Sequence, residues 1–168
     1  MKLYYFAYGS NMCTGQLRRR VPSGKPVFVA RLQAHRLRFH KKSTDGSGKA
    51  DAEYTGNHAD LVWGVVFEIE SDQKPDLDRA EGLGQGYEEK QITPKDCADQ
   101  SYQAWMYFAS ESHKTAGLRP YSWYLRFVVE GAKQHALPPD YLAFLAQVES
   151  VEDQDRVRDA RERVIACH

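Results

Sequence analysis

The sequence predicts an α+β fold, and three observations carry that reading. Two unbroken apolar runs, Leu3 to Tyr8 and "LVWGVVFEI" from Leu61 to Ile69, read as strands buried on both faces. Strand patterns fill roughly the first two thirds of the chain, and helical periodicity fills the remainder. Strands gathered ahead of helices, rather than alternating with them, indicate α+β. A chain of 168 residues is the length of one domain. It divides here into a domain over 1–150 and a charged C-terminal helix or tail of the same domain over 151–168.

Taken in order, the first strand ends in Gly9, Ser10 and Asn11, all turn-forming residues. A short helix is expected from Thr14, stopped before Pro22. In "VFVARLQAHRLRFHKK", Leu37 and Phe39 alternate with Arg36, Arg38 and His40, the period of a half-exposed strand. Ser43 to Asp60 is rich in Gly and small polar residues and reads as a mobile surface loop. After the strand Leu61 to Ile69 come a short helix around Lys74 to Ala80, a glycine-rich loop and another strand. A further strand is expected over Tyr102 to Phe108.

Tyr121, Tyr124, Leu125, Val128 and Ala132 then fall on one helical face. Pro138 and Pro139 break that helix, and "DYLAFLAQV" opens the next. The tail offers only the thin stripe Val157, Ala160, Val164, with Glu152–Arg156 and Asp159–Arg163 as favourable i,i+4 pairs.

Composition narrows the function. Twenty-three basic residues balance 23 acidic ones, which argues against a nucleic-acid or membrane-surface partner held mainly by charge. No apolar run approaches the ~20 residues of a transmembrane helix, and the start lacks a secretory pattern, so a cytoplasmic location is expected. Three cysteines, Cys13, Cys97 and Cys167, are odd in number and widely spaced, which suits a reducing compartment better than a disulfide framework.

Metal-binding spacings are absent, so no metal is expected: there is no Cys-x-x-Cys, no His-Glu-x-x-His and no calcium loop. His35 and His40 should point to opposite faces of their strand. The "QLRRR" stretch reads as a solvated charged face, since adjacent arginines spread around a helix. Cys13 lacks a nearby pKa-lowering neighbour in sequence and reads as a small buried side chain. Glu81 is more informative. It precedes Gly82, Gly84, Gly86 and Tyr87, a loop with room for a ligand, and is flanked by Ala80 and Leu83. A carboxylate in a partly apolar pocket has a raised pKa and can act as a general base.

Four blocks together resemble the γ-glutamylcyclotransferases: "YFAYGSNM", "VWGVVFEI", "LDRAEG" with "GY" just after, and "YLRFVVEGAKQHALPPDYLAFL". They occur in that family's order from Leu3 to about Val148. The resemblance implies a small mixed β-barrel-like sheet with helices packed around it. It also implies release of 5-oxoproline from a γ-glutamyl amino acid or γ-glutamyl amine, without cofactor or metal, by a homodimer. It places the catalytic glutamate at Glu81, and the substrate loop at Tyr5, Phe6, Ala7, Tyr8, Gly9 and Ser10, with Asn11 completing the motif. A binding tyrosine falls on Tyr124. The glycine loop is one residue shorter than in typical relatives, which leaves the place of Tyr87 open.

That chemistry suits the side chains available. In a γ-glutamyl amide the substrate's own α-amine can close onto the γ-carbonyl, so no enzyme nucleophile of the Ser-His-Asp kind is required. A base must first take the ammonium proton, and the same group can then donate to the leaving amine. Backbone N–H groups at Gly9, Ser10 and Asn11 would hold a substrate carboxylate or the developing oxyanion, with Gly9 giving close access. The rival readings are a cyclotransferase for γ-glutamyl amines or a γ-glutamyl-protected biosynthetic intermediate, and a binding module without turnover.

Overall fold

The first apolar run forms strand β1 (Lys2–Ala7), and its lack of polar alternation is explained by its place in the sheet. A computed structural model, which describes all 168 residues, sets it third of five strands, in the order β2 (Lys25–Gln33), β5 (Leu61–Glu70), β1, β7 (Ala104–Ala109), β6 (Tyr87–Ile92). Strand β1 pairs antiparallel with β5, from Lys2 opposite Glu70 to Ala7 opposite Val65, and parallel with β7. Being central, it buries Tyr5, Phe6 and Ala7 in succession. One antiparallel bridge, Arg31 with Lys95, ties the chain leaving β6 back to β2, so the sheet curls toward a barrel without closing.

Two expected boundaries shift. The strand expected from Tyr102 starts at Ala104, and both its faces are buried because it too is internal. The segment Ser43 to Asp60 is not a surface loop. It contains β4 (Gly48–Tyr54), which pairs antiparallel with β3 (His35–Lys42) in a separate two-stranded ribbon. Alanine and glycine are poor strand formers, so local propensity gave no strand signal. What makes the strand is packing: Ala50, Asp51 and Ala52 are buried, and Asp51 accepts the Ala109 N–H at 2.8 Å and faces His40 Nε2 at 2.7 Å.

Five helices, α1 (Thr14–Arg18), α2 (Lys74–Glu81), α3 (Ser122–Gln134), α4 (Pro139–Ala146) and α5 (Arg156–Arg163), complete the domain. Helix α3 buries Trp123, Tyr124, Phe127, Val128, Gly131 and Ala132. Full burial of a residue such as Phe127 contributes about 1.5–3 kcal/mol. Gly131 permits the closest approach, since a Cβ there would lie 2.4 Å from the backbone nitrogen of Cys13. The helix thereby seats the single 3-10 turn Ser10–Met12 that follows β1.

The tail is attached differently from its apolar pattern. Val157 and Val164 are 79% and 82% exposed, so the predicted stripe is not a packing face. Polar groups anchor it instead. Arg126 Nη2 donates to the carbonyls of Glu162 and Ile165, and the fully buried Asp153 accepts from Arg158 and from Trp123 Nε1. Asp159 pairs with Arg163 as expected, whereas Glu152 meets Arg163 rather than Arg156. The cysteine reading is corrected too: Cys13 and Cys167 form a disulfide across 154 positions, leaving Cys97 free and exposed. Their distance in sequence hid a proximity created by the tail's return to α1. No helix is long and apolar enough to cross a membrane.

Candidate active site

Glu81 is the last residue of α2, and Gly82 ends the helix in the left-handed region at φ 74°. Glycine adopts that conformation without the Cβ penalty of other residues, which lets the chain turn sharply and leaves the carboxylate at the helix end. A helix C-terminus is a poor place for an anion. The cost is offset by two donors brought from the N-terminal segment. Asn11 Nδ2 donates to Glu81 Oε1 at 2.9 Å, and Arg20 Nη1 donates to the same oxygen. Both contacts fall on Oε1, and Oε2 carries no hydrogen bond to the protein.

Asn11 ties the cluster together. Its Nδ2 also donates to Tyr5 Oη at 3.0 Å, and its Oδ1 accepts from Arg20 Nη1 at 2.9 Å. Ser10 and Asn11 open the 3-10 turn, where the first amides have no partner within the helix. Gly9 stands just before them. A Cβ at Gly9 would come within 3.0 Å of Ala50 Cβ and 3.3 Å of Tyr124 Oη, so its lack of a side chain serves packing of the pocket wall.

The opposite wall is a fixed set of tyrosines. The Ala50 N–H donates to Tyr124 Oη at 3.0 Å, and Tyr87 Oη donates to the Ala50 carbonyl at 2.6 Å. The backbone of β4 is therefore clamped between α3 and β6. Tyr8 Oη donates to the Tyr107 carbonyl, and Tyr107 Oη to Asp78, each at 2.6 Å. Burial, with a smaller contribution from the Glu81 charge, pushes the Tyr124 hydroxyl up to about 12. Tyr5 is pushed further in the same direction, again mainly by burial. These hydroxyls are therefore neutral near pH 7, and Glu81 is the one carboxylate among the residues lining this pocket.

The inner pocket is bordered by Tyr5, Tyr8, Gly9, Ser10, Asn11 and Tyr124 from the predicted set, together with Glu81. Phe6 and Ala7 are fully buried in the core and do not border it. Tyr87, whose place was open, is a wall residue. Ser10, Glu81, Tyr87 and Tyr124 also line an adjoining outer cleft of about 320 Å³. These four stand at the junction of the two spaces.

Two sequence readings change. The carboxylate is held by Arg20 and Asn11, and the apolar part of its pocket comes from tyrosine rings and Ala50 rather than from Leu83. The "QLRRR" arginines are not a uniform solvated face either. Arg18 Nε donates to the Gly24 carbonyl, Arg19 pairs with Glu162, and Arg20 turns inward to Glu81. Arg20 is the functional candidate that sequence reasoning missed. Nothing in three consecutive arginines marks which one lies beyond the helix end and folds back over the site.

Fold and site together define the class: the AIG2-like family matches at residues 61–145. The chain is 30% identical, over 96% of its length, to the γ-glutamylcyclotransferase of Bos taurus, of which it covers 86%. It is 29% identical to that of Homo sapiens, with the same shares of each chain covered. A solved γ-glutamyl cyclotransferase superposes with a TM-score of 0.87 at 27% identity, covering 98% of both chains. A yeast γ-glutamyl cyclotransferase specific to glutathione shares the fold, with a TM-score of 0.58 at 12% identity over 86% of this chain and 93% of that one. This chain belongs to the γ-glutamylcyclotransferase family.

Proposed function

We propose that the protein converts a γ-glutamyl amino acid into 5-oxoproline and a free amino acid, with Glu81 as general acid/base. The observation that carries the reading is the asymmetry of the carboxylate: Oε1 is held by Asn11 and Arg20, while Oε2 is free of protein partners. A clamped carboxylate with one free oxygen is preorganised to move a proton.

The step balances without water or cofactor. Oε2 takes a proton from the substrate's α-ammonium, and the freed amine attacks the γ-carbonyl carbon. A C–N bond closes the five-membered lactam, and the original amide C–N bond breaks as the carboxyl returns its proton to the departing nitrogen. The carboxylate then takes the second proton from the ring nitrogen and passes it to the departed amine, which leaves as an ammonium. Holding amine and carbonyl in near-attack geometry removes much of the entropic barrier. The amides of Ser10 and Asn11 are the donors for the developing oxyanion or the substrate carboxylate. Tyr5, Tyr8, Gly9 and Tyr124 border the small inner pocket, which takes the carboxylate or oxyanion end of the γ-glutamyl group. Phe6 and Ala7 support it from the core.

Glu81→Gln keeps the side chain's shape and removes the base. Release of 5-oxoproline from γ-glutamyl-alanine should fall roughly 10²–10⁴-fold, with an unchanged circular dichroism spectrum. Turnover at the parental rate would overturn the assignment.

The same reading sets the enzyme in the cytoplasm, in the metabolism of glutathione-related γ-glutamyl compounds, with the catalytic domain at 1–150 and the tail as part of it. In a reducing compartment Cys13 and Cys167 would stand as thiols until oxidised. Assembly into a homodimer rests on the family resemblance, and light scattering on the purified protein tests it.

A further inference from the structure

The outer cleft has a charge pattern of its own. Four cations border it, and three are matched: Arg20 by Glu81, Arg19 by Glu162, and Lys49 by Asp45 at 3.1 Å. The fourth, Lys41, has neither an ion pair nor a hydrogen bond from its ammonium, although the residue is only 8% exposed. A lysine that deeply buried ordinarily finds an anionic partner. The ammonium instead lies 4.7 Å from the centre of the Tyr87 ring. A Cβ at Gly86 would come within 3.0 Å of Lys41 Nζ, so the chain beside it is kept bare. Lys41 lies just past a shift in the β3–β4 register, between Arg38 and Lys41.

Position relative to the junction residues gives the cation a role. Lys41 borders the outer cleft and not the inner pocket, whereas Glu81 and Tyr87 border both. The inner pocket holds only about 20 Å³, room for a carboxylate or oxyanion on the Ser10 and Asn11 amides. Resting on the cyclotransferase reading, with that end of the γ-glutamyl group inside and the reacting amide beside Glu81 at the junction, the departing amine extends past Tyr87 into the outer cleft. We propose that Lys41 binds a carboxylate carried by the leaving group, and so selects γ-glutamyl amino acids and peptides over γ-glutamyl amines, which lack that charge. Lys49, the cross-strand partner of Lys41, is already held by Asp45 and stacked 4.5 Å from the Trp123 ring, so it is not free to pair.

The test compares two substrates that differ only in that carboxylate, γ-glutamyl-alanine and γ-glutamyl-ethylamine, in the parental enzyme, Lys41→Met and Lys41→Arg. Loss of a charged hydrogen bond should lower kcat/KM for γ-glutamyl-alanine roughly 10- to 100-fold in Lys41→Met. The rate on γ-glutamyl-ethylamine should stay within about twofold, and Lys41→Arg should recover part of the loss on the alanine compound. The amine substrate serves as the internal control for folding. Equal losses on both compounds would mean that Lys41 serves the γ-glutamyl group or the structure, and would overturn the inference while leaving the cyclotransferase reading intact. An unchanged rate on both would overturn it as well. A parental enzyme that turned over neither compound would instead remove the cyclotransferase reading, and this inference with it.

Discussion

Asn11 Nδ2 lies 2.9 Å from Glu81 Oε1, joining two residues 70 positions apart through a single amide. The same side chain contacts Tyr5 and Arg20, so it fixes both the carboxylate and the guanidinium that flanks it. Asn11 is 3% exposed, and no water can replace what it supplies without rearrangement.

Asn11→Ala should therefore lower kcat by roughly 5- to 100-fold, the cost of one or more buried hydrogen bonds to a charged group. Asn11→Asp should be worse, because it sets a second carboxylate against Glu81. Steady-state kinetics on γ-glutamyl-alanine checks both. An Asn11→Ala enzyme with parental kcat would reduce the asparagine to a turn former.

Arg20 pairs with Glu81, and on the proposed mechanism it acts through that carboxylate as a positioning residue. Its replacement by Met leaves the carboxylate at the helix end without its cation, and kcat should drop about 10- to 100-fold with KM changed less. Arg20→Lys should restore part of kcat, since charge returns without the planar fork. A change confined to KM would instead place Arg20 in substrate binding.

The tail makes stability depend on acid. Hydrogen bonds from Arg158 hold the Asp153 carboxyl well below the usual carboxylate range, and Trp123 Nε1 adds to them. A depressed folded-state pKa contributes stability that is complete above the unfolded value, about 3.9, and is lost as pH falls below it. Asp153→Asn cannot titrate, so it should melt several degrees lower at pH 7. Its deficit against the parental protein should narrow as pH falls from about 4.5 toward 3. A constant gap in Tm across that range would contradict the assignment.

The bond between Cys13 and Cys167 closes nearly the whole chain into one loop, with a separation of 154 residues. Cross-linking a long loop typically contributes 2–4 kcal/mol, so Cys167→Ser should lower Tm by roughly 5–15 °C under non-reducing conditions. Added reductant should bring the parental protein down to the variant. Equal melting of the two without reductant would show that the bond carries no stability.

Much of this protein is written locally in its sequence. The apolar runs at β1 and β5 read as buried strands, and the stripe on α3 located Tyr124, Val128 and Ala132 on its packed face, though not Trp123 and Phe127, which are buried beside them. The resemblance added Glu81 and the turn after β1 as a site, because those residues recur as short blocks whose order is visible without coordinates. What stayed hidden depends on distance in the chain. Strand β4 has no local β-propensity and exists because Ala50 and Asp51 meet Tyr124, Tyr87 and Ala109. Arg20 is one arginine of three until the turn back from α1 lays it on Glu81. Lys41 and Cys167 likewise acquire their surroundings only when the ribbon and the tail close on the core. Periodicity and propensity report a residue's own segment. Charge matching, hydrogen-bond partners and cross-links are properties of pairs, and folding chooses the pairs.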